Sequence, residues 1–175
     1  NNPSGTTDTA SYSVALGTTA LDAITTGDNN AAIGYNALTA NTTGGNNAAV
    51  GYNSLRDNTT GSDNTAIGKS ASWGNTTGAS NTSVGKDALG ANTTANNNTA
   101  IGYAALDANT TGTANAAVGS GSLGANTTAS YNTAVGKSSL AANTTGAESV
   151  AVGYQALNAA TTGNGNTAVG RQAMK

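Results

Sequence analysis

Residues 98–115 read NTAIGYAALDANTTGTAN, and with a few substitutions the same string returns every seventeen residues along the chain. Its first glycine belongs to a series that never slips: Gly17, Gly34, Gly51, Gly68, Gly85, Gly102, Gly119, Gly136, Gly153 and Gly170. No insertion or deletion breaks the spacing. A fixed period of this length marks a solenoid or array, in which each unit packs on its neighbours rather than around one central core.

The columns of the repeat show what each unit contributes. The residue before the glycine is always aliphatic: Leu16, then Ile or Val from Ile33 to Val169. Two before it stands Ala or Ser, as at Ala32, Ala66 and Ser83. This is a short strand with a small residue on one face and a branched aliphatic on the other. Four after the glycine a Leu recurs from Leu21 to Leu157, with Met174 closing the column and Ser72 breaking it. Helix suits the unit poorly, because Gly, Asn and paired Thr are weak helix formers. The expectation is an all-β fold, a parallel β-solenoid (β-roll) with one 17-residue coil per repeat. Residues 1–13 read as a lead-in or partial first coil. Residues 14–175 form about nine and a half coils of one repeat domain. At a strand spacing of roughly 4.8 Å, nine steps make a rod roughly 43 Å long.

Stacking turns each column into a ladder, and that accounts for the composition. Asn-Thr-Thr recurs from Asn41 to Asn143, and a second Asn column runs from Asn30 to Asn166 with Ser149 as the exception. Stacked amides are expected to hydrogen-bond from coil to coil. Each Asn-Thr-Thr is formally a glycosylation sequon, but glycans cannot crowd onto one column at strand spacing. Gly27, Gly44, Gly61, Gly78, Gly112, Gly146 and Gly163 are expected to take backbone angles other residues avoid, although Ala95 and Ala129 share their column. The core is thin, one Val or Ile, one Leu and a few Ala per coil. Burial of the small-residue Ala face against partner chains is therefore expected.

Composition narrows the function. Aromatic residues are 4% and charged residues 8%, with no Phe, His or Cys. Such a chain could be low-complexity disorder, but disorder has no reason to hold apolar residues in register. The net charge is -2 with no basic patch, which excludes nucleic acid as an expected partner. No apolar run approaches membrane-spanning length, so no membrane insertion by this segment is expected. The acids, Asp8 to Glu148, are scattered, and no pair recurs for general acid/base work. No enzyme activity, catalytic residue, metal site or cofactor is expected. The chain opens at Asn1 rather than Met and stops partway through a repeat, and so reads as a piece of something longer.

The candidate contact surface is the column after the glycine, which holds Tyr35, Tyr52, Lys69, Lys86, Tyr103, Lys137 and Tyr154. These side chains either meet a receptor or glycan or simply solubilise one edge. The column five after the glycine (Asp22, Thr39, Arg56, Trp73, Gly90, Asp107) is the most variable and is expected to be fully exposed. Trp73 follows Ser72, where the Leu column fails. It either slips inward to fill the missing volume or stands out as a binding aromatic.

The motif at Asn64–Lys69 and Asn98–Leu106 resembles the head repeats of YadA-like trimeric autotransporter adhesins. Ser13–Gly17 and Ser149–Gly153 match that S-V-A-I-G pattern most closely. The resemblance covers roughly residues 13–175, and similar repeats occur in phage tail-fibre proteins. The present period is longer than the usual adhesin repeat, and the Asn-Thr-Thr-Gly half is extra. The resemblance implies a left-handed β-roll, a homotrimer, and a structural fibre or adhesin module attaching to a cell-surface receptor or glycan. It also implies an extracellular, cell-surface or virion location. An ice-binding solenoid using Thr and Asn ladders is the alternative. Against it, adjacent Thr residues in a strand point to opposite faces.

Overall fold

A computed structural model describes residues 12–175. The lead-in expected over residues 1–13 lies outside the described residues as far as residue 11, as does Asp8. The described chain is all-β. Ten three-residue strands run from β1 (Val14–Leu16) through β4 (Thr65–Ile67), β5 (Thr82–Val84) and β6 (Thr99–Ile101) to β10 (Thr167–Val169), each seventeen residues after the last. They form one parallel sheet in sequential order. Register is uniform: Thr65 lies beside Thr82, Ala66 beside Ser83, Ile67 beside Val84. This is the expected β-solenoid with one coil per repeat.

The inter-coil ladder does not stop at the strands. Leu38 N–H donates to Ser54 O at 3.1 Å, Ala40 N–H to Arg56 O at 3.1 Å, and Thr42 N–H to Thr59 O at 2.9 Å. On the other side of the coil, Asn46 N–H donates back to Asp28 O and Asn36 N–H back to Thr18 O. Turns are thus bonded to turns, and most of each coil is pinned to both neighbours. That satisfies backbone groups which an irregular loop would leave to water.

The interior departs from one expectation. The Ala column two before the glycine faces inward: Ala32, Ala49, Ala66, Ala100 and Ala117 are fully buried. The second Ala column, three after the glycine (Ala37, Ala71, Ala88, Ala105), is buried beside it, and the Leu column completes the core. The Ile/Val column points out instead, with Ile33, Ile67 and Ile101 about two-fifths exposed. The Ala face is therefore not a surface for partner chains. The coil is narrow, so only a methyl fits on the inner side of the strand opposite Leu, and the larger aliphatic is left outside.

The core has a break. One apolar cluster ends at Ala66 and Ala71, and the next begins at Ala88 and Leu89. Between them Ser72 occupies the Leu position and Ser83 the Ala position. Their buried hydroxyls bond to each other, Ser72 Oγ to Ser83 Oγ, at 2.9 Å, and Ser83 Oγ also reaches Thr65 O at 3.3 Å. Two polar substitutions eleven residues apart thus satisfy one another. Ser72 has φ +47°, the same left-handed angle as Leu55 and Leu89, so the backbone already accepts Leu there. The double variant Ser72→Leu/Ser83→Ala restores the pattern of the other coils. It should raise stability by about 2 kcal/mol, the transfer energy of one buried Leu, read as a higher urea midpoint at unchanged slope.

Candidate functional site

Two amide ladders hold the coil shape on which any surface is displayed. The Asn-Thr-Thr asparagines are fully buried, so they are not open sequons. Asn58 Nδ2 donates to Asn41 Oδ1 in the previous coil at 2.9 Å and to Gly61 O in its own turn at 2.9 Å. This step repeats up to Asn143, whose Oδ1 is the buried acceptor left without a partner among the described residues. Ala160 follows in that column and has no amide to offer. The second column crosses over: Asn47 Nδ2 also donates to Gly61 O at 2.9 Å, and Asn47 Oδ1 accepts from Asn64 N–H at 3.0 Å. One turn carbonyl therefore receives amides from two ladders.

That convergence corrects the reading of the turn glycines. Gly44, Gly61, Gly78 and their column do not have positive φ. They are small because a Cβ on Gly61 would lie 2.3 Å from Gly78 O and 2.4 Å from Asn58 Oδ1. The left-handed angles fall elsewhere. They occur at the glycine before the candidate contact column, at the Leu column, and at the columns of Asn36 and Asn46.

The Thr pairs divide their roles. The first hydroxyl is used internally, Thr42 Oγ1 donating to Thr59 O at 3.0 Å and Thr59 Oγ1 to Thr76 O at 3.0 Å. The second Thr of each pair, such as Thr43, Thr60 and Thr77, is exposed. Each pair within the stack thus presents its second Thr to solvent.

The candidate contact column lies on the outside along the rod. Tyr35, Tyr52, Lys69, Lys86, Tyr103, Lys137 and Tyr154 are all exposed. Ring contacts along the column fall into three groups. The rings of Tyr35 and Tyr52 lie 5.4 Å apart and nearly parallel. Lys69 Nζ sits 5.7 Å from the Tyr52 ring centre, and Lys86 Nζ sits 5.0 Å from that of Tyr103. Lys86 also pairs with Asp87 at 2.5 Å. That hydrogen bond holds its ammonium above the usual range. Further along, Arg171 covers Tyr154 at 5.9 Å.

Trp73 belongs to a second, smaller cluster. It does not slip inward; it lies on the surface, 38% exposed. Arg56 covers its ring at 4.9 Å and is itself held by Asp57 through two bonds of 2.7 and 2.8 Å. Gly90 is buried against it, since a Cβ there would meet Asp107 Oδ1 at 2.7 Å and Trp73 Nε1 at 3.1 Å. The expected full exposure of this column is thus wrong for Thr39, Arg56, Gly90 and Asp107. One large indole in a narrow ladder covers the coil beside it. Asp107 is raised above its ordinary carboxylate value, first by desolvation and then by the charge of Asp87.

The feature that sequence reading missed is the outer face of the sheet. Its two columns, from Val14 to Thr167 and from Leu16 to Val169, hold only Ala, Thr and aliphatic residues, without one charge in ten coils. Its sequence signal is the exclusively aliphatic column before the glycine, whose hydrophobicity alone points to the interior. A comparison with family models, with curated proteins and with solved structures finds no match.

Proposed function

We propose that the chain is a structural segment of a homotrimeric, left-handed β-roll fibre, of the adhesin-head or tail-fibre kind, working without catalysis outside the cell or on a virion. The observation that carries this reading is the exposed Ile/Val ladder. A flat, charge-free aliphatic stripe along a whole rod is what a subunit contact uses, and a lone soluble chain rarely leaves one open. The resemblance of Ser13–Gly17 and Ser149–Gly153 to adhesin-head repeats supports threefold closure. The Tyr/Lys column then serves as the attachment surface for a receptor or glycan. The ice-binding alternative has weaker support, because the first hydroxyl of each Thr pair is spent inside the stack and the outer face of the sheet is mixed with Ala and Val.

Light scattering on a size-exclusion column tests this. The expected mass is three times 16.7 kDa, and Ile67→Asp/Ile101→Asp should abolish the trimer by burying two carboxylates per chain. A wild-type chain that runs as a monomer at tens of micromolar would sink the fibre reading.

A further inference from the structure

We propose that the Tyr/Lys column is a track for a linear polysaccharide bearing an acidic group on about every second sugar, bound parallel to the rod. This rests on the attachment reading above and names its ligand class. Four of the chain's six Lys and Arg residues stand in this one column, and no acid does. Every acid lies in another column, with Asp28, Asp63 and Glu148 on the turn before the second Asn ladder. The chain is thus slightly acidic overall while presenting one cationic edge.

The content of the column selects the ligand. Tyr35 and Tyr52 stack on each other at 5.4 Å, so they present ring edges and hydroxyls, which hydrogen-bond to the hydroxyls of a sugar, to a polymer lying along the rod. The cations are sparse. From Lys69 to Arg171 four occupy seven coils, with Tyr103, Ser120 and Tyr154 between them. A nucleic acid, charged at every unit, would want a denser row. A sugar polymer with alternating neutral and acidic units suits it better. An extended chain of such sugars advances by about one coil spacing per ring, so successive units meet equivalent positions and weak contacts add by avidity. The adjacent pair Lys69 and Lys86 is the strongest anchor. Like charges stacked in neighbouring strands repel, Asp87 neutralises only one of them, and an acid group bound across both removes that cost.

The test uses hyaluronan, whose carboxylates fall on alternate sugars, with chondroitin sulfate, dextran and single-stranded DNA alongside. Affinity is measured against salt on samples whose mass is recorded by light scattering. Hyaluronan should bind and dextran should not. Chondroitin sulfate carries the same carboxylates and a sulfate on the intervening sugars, so its binding without that of hyaluronan would overturn the alternate spacing. Lys69→Gln/Lys86→Gln should weaken binding at least tenfold and flatten the salt dependence. Tyr35→Ala/Tyr52→Ala should weaken it comparably at unchanged salt slope, and Tyr131→Ala, on another edge, should change nothing. The inference is overturned if a folded trimer binds neither acidic polymer, if dextran or DNA binds as well, or if the Lys pair is without effect. A trimer that fails to bind leaves the fibre reading standing, whereas a monomer that binds sinks only the fibre reading, since the track lies within one chain.

Discussion

Gly102→Ala should cost roughly 4 kcal/mol and split the rod into two separately melting blocks. At Gly102 φ is +133°, and a Cβ would lie 2.7 Å from both Gly119 C and Gly119 O. Backbone of the next coil cannot move aside without moving every coil after it. Strain in this sparsely populated backbone region contributes about 1–3 kcal/mol and overpacking about 1–3 kcal/mol more. Each block then retains its own neighbour contacts, as expected of a one-dimensional array. Gly124→Ala is the control. That position lacks the positive φ, a Cβ there would come no closer than 3.3 Å to Gly121 O, and its column already holds Thr39, Arg56 and Trp73. Hydrogen exchange resolved by coil would distinguish the two. Equal loss of protection in both variants would remove the φ argument.

The second large effect is expected at Asn64, where the amide works at both ends. Its Nδ2 donates to Gly78 O at 2.8 Å and Asn47 Oδ1 at 3.2 Å, while its Oδ1 accepts from Asn81 N–H at 3.0 Å. Asn64→Asp replaces the donor by an oxygen facing two acceptors, with the residue fully buried. The loss should be about 3–5 kcal/mol at neutral pH, as for other uncompensated buried charges. Burial and the missing donor raise this carboxyl in the folded state above its unfolded value of about 3.9. The destabilisation is therefore complete above the folded pKa and shrinks as pH falls through it, because a protonated carboxyl donates to Gly78 O again. Urea midpoints of wild type and variant should converge on acidification. A gap independent of pH would mean that the charge is not the cause. Asn64→Ala should cost less, since Asn75 Nδ2 still satisfies Gly78 O at 2.9 Å.

The period, the strand and the Leu core were legible because each is a column of one residue type at fixed spacing. The Asn ladders were legible for the same reason, since a buried amide at every level has few roles besides pairing with the next. The side of the strand that faces in was not legible. Alternation says that Ala66 and Ile67 point oppositely, and ordinary hydrophobicity sends Ile67 to the core. In this narrow coil Leu55 and its column already fill the interior, so volume rather than hydrophobicity decides. The positive φ at Leu55 and Leu89 was equally hidden. Leu carries no signal for that angle and adopts it because the turn must bring its side chain inward. The angle was legible at Asn36, Asn46 and Asp63, residues that tolerate it. At the candidate site the exposure of the Tyr and Lys column was readable from residue type. The stacking of Lys69 on Tyr52, and of Arg56 on Trp73, needed coordinates.

The bonds between coils run along the rod, and this shapes its response to tension. A pull on the two ends loads each coil junction in series, so the weakest opens first and the others are spared. Each coil that peels away releases seventeen residues, roughly 58 Å of extended chain at 3.3–3.6 Å per residue, in place of one step of roughly 4.8 Å. The released coil thus lengthens about twelvefold before force passes to the next one. The polar junction at Ser72 and Ser83 is where the first slack would form.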